Sequence, residues 1–319
     1  MNTFGFIPVS VATLYPTDGL SVDLYIRPPG CDEPILYCAR TLRVKQADLG
    51  RLEDSGVTRL YIRHDERRAY QQFLRQHLDG WLRDPAQPMR ARAAMLNEVV
   101  RDVLNESFAG GRTESIVDSA RELGQRAAEL LTSEPVVFQD VVRVLHHDYT
   151  TFTHSANVCY YAVLLGAMLE FSQSDLIQIA IGALLHDVGK IDIDERILMK
   201  EGPLTELERR QIRKHPTTGF RKLSKRPELS QGQLLMAYQH HERIDGSGYP
   251  VGAVGDEIHP WARLCAVVDV YEALTSLRPY RQPLTPTTAL SVMSKNGDKQ
   301  FDQEMFSCWI TIATPRSAS

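Results

Sequence analysis

The sequence predicts a mainly α protein: a C-terminal all-helical bundle with a central metal site, preceded by a small α/β N-terminal module and a helical connector. Three observations predict this arrangement. Short runs rich in β-branched and aromatic residues are concentrated in the first 62 positions. Beyond residue 136, apolar residues recur mostly at three- and four-residue spacing. Eight of the ten histidines lie between His146 and His259, so the chemistry is expected in the helical half.

Residues 1–85 form the predicted regulatory module. Prolines and glycines, among them Pro16, Pro28 and Gly30, separate short runs that have the composition of strands. A helix from about Glu66 to Trp81 closes the module, and the proline-containing segment 84–88 marks its end. We find no haem, flavin, nucleotide or phosphorylation signature here, so no sensed signal is predicted. The predicted strands are Phe4–Val9, Ser21–Ile26, Ile35–Cys38 and Thr58–Ile62.

Residues 86–135 form the predicted helical connector. Two amphipathic helices, Met89–Phe108 and Ser115–Leu131, are separated by Gly110 and Gly111. Helices of this kind connect two modules or pair with a second copy. A homodimer through the connector helices is therefore one of our predictions.

Residues 136–319 form the predicted catalytic domain, which is read as helical almost throughout. Thr205 and Glu208 have the spacing of a capping box at the start of one helix, and Ser174 is a suitable N-cap for another. The predicted helices are Phe152–Phe171, Ser174–His186, Thr205–His215, Ser230–Glu242, Pro260–Leu277 and Pro286–Ser294.

Composition excludes several classes of protein. Hydrophobic residues make up 43% of the chain and charged residues 24%, which is the average of globular domains. The longest apolar stretch falls short of the ~20 residues that a membrane span needs, and no export signal is recognised, so we expect a cytoplasmic protein with no membrane partner. The net charge of -4 lacks the basic excess of a protein that binds DNA or RNA. The five cysteines have no zinc or disulfide spacing.

Five histidines and two aspartates lie at helix ends or within apolar helices of the C-terminal half. Imidazole and carboxylate are ligands of zinc, manganese and iron, and helical bundles build such sites from facing helices. Any one of these histidines alone is more often an ordinary core or surface group. Seven such groups on five helical segments are hard to obtain from packing alone, so together they predict a metal site. They are His154, His186, Asp187, His215, His240, His241 and Asp269.

Several strings around these residues resemble the HD-GYP family of HD-domain phosphohydrolases. The strings are HS at His154, HDVGK from His186, HP at His215, HHERIDGSGYP from His240 and VVDVYEALTSLRPYR around Asp269. The resemblance covers about residues 140 to 302, and the GYP string in register with the other matches makes it specific. It implies an HD-type all-α fold with metal ions at the centre of the bundle.

The resemblance implies two groups of ligands that share one carboxylate. One ion is held by His154, His186, Asp187 and Asp269, and the second by Asp187, His215, His240 and His241. A carboxylate can give one oxygen to each of two ions ~3.5–4 Å apart. A hydroxide that bridges the ions then attacks phosphorus, so Asp187 is catalytic as the bridge. Lys190 is catalytic if it stabilises the phosphoryl charge, and its alternative role is a salt bridge to Asp187.

One departure from the family concerns the number of ions. Members with three metals carry a glutamate four residues before the first histidine, and this chain has Thr150 there. A hydroxyl replaces a bridging carboxylate poorly, so we expect two divalent ions and no third, unless Asp148 or His147 approaches. Iron or manganese is expected, with zinc as an alternative, because sites of this type accept all three.

The resemblance also indicates substrate contacts. Arg278 and Arg281 match basic residues of the family that meet a phosphate or a guanine, and Tyr249 of the GYP loop is placed to stack or hydrogen-bond. Arg209–Arg226 holds eight basic residues and no acidic one, which indicates either attraction of an anionic substrate or a solvated helix face. Asn157 and Thr275 are candidates for orienting the metal ligands.

The implied function is a bacterial signalling enzyme, a phosphodiesterase that hydrolyses cyclic di-GMP to pGpG or GMP. One alternative is hydrolysis of a related cyclic dinucleotide such as cyclic GMP-AMP. The other is a catalytically weak cyclic di-GMP receptor that signals through protein partners at the GYP loop. The full ligand set and Lys190 favour the enzyme.

Overall fold

The computed structural model describes residues 5–14, 20–28, 30–31, 33–42, 44–109, 111–134, 138, 141–142, 145, 151–278 and 281–314. The chain divides into two compact units, Met1–Asp102 and Val103–Ser319. This division falls inside a connector helix, and the boundaries predicted at residues 85 and 135 stay predictions. Within the described ranges, no helix is long and apolar enough to cross a membrane.

The N-terminal unit contains an antiparallel sheet of four strands in the order β1-β4-β2-β3. Alternation along β4 buries Leu60 and Ile62, and β1 lies beside it with Val9 opposite Leu60. The four strands predicted from the sequence are confirmed to within a few residues. They are β1 (Phe6–Ser10), β2 (Leu24–Ile26), β3 (Ile35–Cys38) and β4 (Arg59–Arg63).

The helices of the first unit are amphipathic. The predicted helix that closes the module is confirmed as α2 (Arg67–Arg83), which buries Phe73, Leu74, Leu78 and Trp81. A shorter helix, α1 (Gln46–Asp54), precedes β4 and was not predicted. The connector helices are α3 (Met89–Ala109), whose sequence spans the division at residues 102 and 103, and α4 (Thr113–Thr132) of the second unit.

The C-terminal unit is a helical bundle, as predicted. The described residues form ten further α-helices and two short 3-10 helices, Val188–Asp192 and Gly255–Glu257. The α-helices are α5 (Thr151–Met168), α6 (Gln173–Leu185), α7 (Glu195–Leu198), α8 (Glu206–Ile212), α9 (His215–Leu223), α10 (Gln231–Gln239), α11 (Pro260–Thr275), α12 (Pro286–Ser294), α13 (Gly297–Gln300) and α14 (Gln303–Ala313).

Helix α6 lies at the centre of this bundle. It contacts α4, α5 and α10, and α11 contacts both α5 and α10. The C-terminal half of α6 is buried, with Ile179, Ala183 and Leu185 fully shielded from solvent. Since this half of α6 is apolar on all sides, the residues that follow its C-terminal end, His186 and Asp187, lie in the interior.

The bundle differs from the sequence prediction at several points, among them the short helices α7 and α13, which were not predicted. The helix predicted over Thr205–His215 ends earlier, at Ile212, and α9, which was not predicted, begins at His215 with Pro216 in its first turn. The Thr205 capping box is confirmed. The N-cap of α6 is Ser172, whose hydroxyl accepts from the Asp175 amide, so the prediction of Ser174 was wrong. Helix α14 was not predicted.

Candidate metal centre

All seven predicted ligands meet in the interior of the C-terminal unit. His154 lies on α5 and Asp269 on α11, while the others lie at or next to helix ends, where the chain turns inward. Six are buried and His241 is half-buried. Their ligand atoms form two groups, each within 4.8 Å: Asp187, His215, His240 and His241 in one, and His154, His186 and Asp269 in the other.

Asp187 stands between the two groups. Its Oδ2 lies 3.4 Å from Nε2 of His154 and 3.5 Å from Nε2 of His186. Its Oδ1 lies 3.2 Å from Nε2 of His215 and 3.7 Å from Nε2 of His240. Each oxygen of one carboxylate therefore faces a different group, which is the arrangement a bridging ligand needs.

Backbone carbonyls orient three of the imidazoles. Nδ1 of His186 donates to O of Ala183 at 2.7 Å. Nδ1 of His215 and of His240 donate in the same way to carbonyls one turn earlier in the chain, at 2.7 and 3.0 Å. Because a carbonyl only accepts, the hydrogen is on Nδ1 and each Nε2 lone pair points into the centre.

These lone pairs fit a cation. Nε2 of His215 lies 3.2 Å from Nε2 of His240, so two acceptors face each other with no hydrogen to share. Nε2 of His186 and Oδ1 of Asp187 are buried without a hydrogen-bond partner among the described residues. Buried acceptors left unpaired are costly, and a divalent ion in each group would satisfy them. Nitrogen and carboxylate donors of this kind suit zinc, manganese and iron.

Charge at the site also suits a cation. Burial lowers the pKa of His186, His240 and His241, to about 3 for His241, so these imidazoles are neutral and free to bind metal. Burial opposes ionisation of Asp187, but Lys190 and the surrounding histidines outweigh it and hold the pKa of that carboxyl well below its usual range. Lys190 Nζ lies 2.5 Å from Oδ2 of Asp187, the salt bridge named above as its alternative role.

The GYP loop packs directly on the second group. The ring of Tyr249 stacks on that of His241 with centroids 4.8 Å apart, and the guanidinium of Arg213 lies 5.0 Å from the Tyr249 ring. A Cβ at Gly248 would lie 2.5–2.6 Å from the backbone of residues 241–243, so only glycine fits there. Tyr249 is thus fixed at the edge of the site, although its predicted contact with substrate is untested.

Arg278 and Arg281 occupy different environments. Arg278 is buried, and its Nη2 lies 3.0 Å from Oε2 of Glu272. Arg281 is half-buried and donates to the carbonyl of Ala273 at 2.6 Å. Neither observation tests the predicted contact with a phosphate or guanine.

Sequence reasoning missed two buried glutamates. Glu272 accepts hydrogen bonds from the predicted ligand His154 and from Asn157. Asn157 therefore contacts Glu272, which in turn holds His154, rather than contacting a predicted ligand directly. Thr275 instead donates to the carbonyl of Tyr271 in its own helix. Glu242 accepts from the backbone amides of residues 251 and 252 and so ties down the GYP loop. For Glu272 the available signal was a carboxylate placed, like Asp269, inside an apolar run, whereas Glu242, between His241 and Arg243, has no such signal.

The residues that bear on a third metal ion lie outside the described part of the chain. His147, Asp148 and Thr150 all belong to the segment 146–150, of which the structure gives no description. The expectation that Thr150 prevents a third ion therefore stays a prediction.

Known proteins resemble this chain in sequence. A family model of the HD domain matches residues 125–305. A cyclic di-GMP phosphodiesterase of Pseudomonas aeruginosa is 30% identical over 293 residues, covering 88% of this chain and 70% of that protein. The cyclic di-GMP phosphodiesterase response regulator RpfG of Xanthomonas campestris is 36% identical, covering 60% of this chain and 52% of that protein. A 3'3'-cGAMP-specific phosphodiesterase of Vibrio cholerae is 39% identical over 49% of this chain and 34% of its own length.

A solved structure resembles the chain in fold. It is Bd1817, an HDG"Y"P protein from Bdellovibrio bacteriovorus, with a TM-score of 0.69 over 96% of this chain and 99% of that one. At 20% sequence identity this likeness speaks for the fold alone.

Proposed function

The chain belongs to the HD-GYP branch of the HD-domain family, and from that premise we propose that it is a metal-dependent phosphodiesterase that hydrolyses cyclic di-GMP to pGpG or GMP. The observation that carries the proposal is the shared carboxylate, with the two oxygens of Asp187 facing two separate sets of buried imidazoles. The names of the two cyclic di-GMP phosphodiesterases above support the choice of substrate.

The ligand groups support a site for two divalent ions, iron or manganese with zinc as an alternative. His154, His186 and Asp269 would hold one ion, His215, His240 and His241 the other, and Asp187 would contact both. When bound, such a pair polarises a phosphodiester and lowers the pKa of water beside it. The protein's own part is to fix the donors in a buried cavity, so that no reorganisation is needed during the reaction.

Lys190 has the position of an electrostatic catalyst. Its side chain is 14% exposed and its ammonium contacts Asp187, so its charge is held at the edge of the ligand cluster. From there it stabilises negative charge that develops on the phosphoryl oxygens. Arg278, Arg281 and Tyr249 remain the proposed contacts to the phosphates and bases of the substrate.

Hydrolysis of cyclic GMP-AMP is the second candidate function. The similarity to the cGAMP-specific phosphodiesterase of Vibrio cholerae favours it over part of the chain. The two reactions make the same demand on the metal centre, because it acts on a phosphodiester and the bases are recognised elsewhere. Comparison of kcat/KM on the two cyclic dinucleotides, with products resolved by chromatography, decides between them. A higher value for cyclic GMP-AMP would overturn our assignment of substrate.

The receptor alternative makes a different prediction for Asp187→Ala. If the protein is an enzyme, this variant loses turnover and bound metal. If the protein is a receptor, this variant still binds cyclic di-GMP, and its turnover, already negligible in the wild type, does not change, because binding alone carries the signal. Turnover, metal content and cyclic di-GMP affinity measured on the same preparation separate the two. The homodimer through the connector helices and the signalling partners at the GYP loop remain predictions, and a monomer at all concentrations in light scattering would exclude the dimer.

A further inference from the structure

Glu272 is a buried carboxylate just behind the metal centre. It lies on α11 one turn after Asp269 and is 1% exposed. Oε2 accepts from Nδ1 of His154 at 2.5 Å and from Nη2 of Arg278 at 3.0 Å. Oε1 accepts from Nδ2 of Asn157 at 3.0 Å and from Oγ of Ser276 at 2.6 Å. Four donors thus fix this side chain in one orientation.

The bond to Glu272 determines which nitrogen of His154 is free for a metal. An ionised carboxylate only accepts, so Nδ1 keeps its hydrogen and Nε2, which faces Asp269 and Asp187, is the nitrogen left for a metal. Those two carboxylates lie 3.0 and 3.4 Å from that Nε2. Nη2 of Arg278 is also 3.3 Å from Nδ1, but both atoms carry hydrogen, so this is a contact rather than a bond.

His154 differs in this respect from three other histidines of the site. His186, His215 and His240 each donate Nδ1–H to a neutral backbone carbonyl. A carboxylate partner makes the opposite nitrogen of an imidazole a stronger donor than a carbonyl does. His154 is therefore the more basic ligand among these four.

The two ligand groups also differ in negative charge. The group of His154, His186 and Asp269 is surrounded by three carboxylates. Asp269 belongs to the group, Asp187 directs one oxygen toward it, and Glu272 contacts His154 from behind. The group of His215, His240 and His241 has Asp187 as its only carboxylate beside three imidazoles. A divalent cation is attracted more strongly where more carboxylate charge surrounds it, and the interior screens this difference poorly.

We propose that Glu272 is a positioning residue that makes the metal position at His154, His186 and Asp269 the tighter of the two, so that it fills first and empties last. This inference rests on the proposed two-metal site and is independent of which cyclic dinucleotide is the substrate. Arg278 supports the arrangement by neutralising part of the charge that Glu272 brings into the interior.

The test is a metal titration of the full chain. Protein stripped of metal is titrated with Mn(II), and the ions bound per chain are counted after equilibration against graded free metal. The wild type is expected to bind two ions in two separate steps. In Glu272→Gln, which keeps the shape and removes the charge, the tighter step should weaken by ~10- to 100-fold while the weaker step stays in place.

Thr275→Val is the matched control. Thr275 lies on the same helix, and its hydroxyl donates to a backbone carbonyl of that helix. This variant should reproduce both wild-type steps. If Glu272→Gln does not fold, Glu272→Asp keeps the charge and shortens the side chain, and it should weaken the same step. Three results would overturn the proposal. The wild type could bind both ions with equal affinity, a Glu272 variant could weaken both binding steps together, or a folded Glu272 variant could leave the tighter step unchanged.

Turnover is measured separately on the same samples. Two binding steps with the predicted change in Glu272→Gln, but no hydrolysis of any cyclic dinucleotide, would leave this inference standing and refute the proposed function. If the protein hydrolyses a cyclic dinucleotide but folded Glu272→Gln shows unchanged binding steps, the proposed function stands and this inference is refuted.

Discussion

Replacement of Gly189 by alanine tests how the backbone holds His215 in place. Gly189 lies in the 3-10 helix that follows Asp187, against the first turn of α9. A Cβ on Gly189 would lie 2.0 Å from the carbonyl oxygen of His215 and 2.7 Å from the amide nitrogen of Gly219. Real Cβ contacts almost never fall below 3.0 Å, and both obstacles are backbone atoms, so the two segments must separate by about 1 Å.

The expected cost follows from that displacement. Overpacking of an interior typically costs ~1–3 kcal/mol, which lowers Tm by roughly 2–4 °C per kcal/mol in a unit of this size. The same shift moves Nε2 of His215 away from Oδ1 of Asp187, now 3.2 Å distant. Misplacement by ~1 Å can reduce turnover by ~100-fold, so we expect loss of activity beyond the loss of stability.

The assay measures Tm by calorimetry, metal content and kcat on cyclic di-GMP for Gly189→Ala. Gly202→Ala is the control, because a Cβ there meets no atom within 4 Å and the backbone is not in the left-handed region. It should match the wild type. A Gly189→Ala variant with wild-type Tm, metal content and kcat would refute the inferred role of this close backbone contact.

Three further predictions concern the loop, the entrance and the metal. Glu242→Gln weakens the hydrogen bonds that hold the GYP loop, so proteolysis within that loop should become faster. Its Tm should fall by less than that of Gly189→Ala, and an unchanged cleavage rate would contradict this prediction. Arg213→Gln removes the cation beside Tyr249 and should raise KM with little change in kcat, whereas Arg221→Gln, an exposed cation of the same segment, should leave both unchanged. Removal of metal by a chelator should lower Tm, because an ion present at 100 times its Kd stabilises the folded state by about 2.7 kcal/mol; an identical Tm with and without the chelator would contradict a buried metal site.

The sequence was sufficient to predict that these seven side chains meet in the interior, because apolar helix segments carry them there. The C-terminal half of α6 is apolar and buried on all sides, so His186 and Asp187 at its end had to lie inside. The same reasoning applies to Asp269 within α11. The strands were predictable for a related reason, since alternation along β4 already marks Leu60 and Ile62 as the buried face.

Partners that depend on tertiary contact could not be predicted. Glu272 meets His154 across 118 positions of sequence, and no local pattern encodes that pairing. Helix α9 was missed because its sequence, HPTTGFRKL, holds only two large apolar residues, too few to show a helical pattern. Ser172 and Ser174 are both good caps by residue type, and only the backbone geometry selects Ser172.

The central claim is that this protein hydrolyses a cyclic dinucleotide and needs two ions around Asp187 to do so. The most direct measurement follows turnover of cyclic di-GMP by anaerobically purified protein as Fe(II) or Mn(II) is added back to metal-free samples, with the bound ions counted on each sample. The account predicts no product without metal, formation of pGpG or GMP that reaches its maximum at two ions per chain, and none from Asp187→Ala. Full turnover by metal-free protein, or no product from any cyclic dinucleotide with two ions bound, would contradict it.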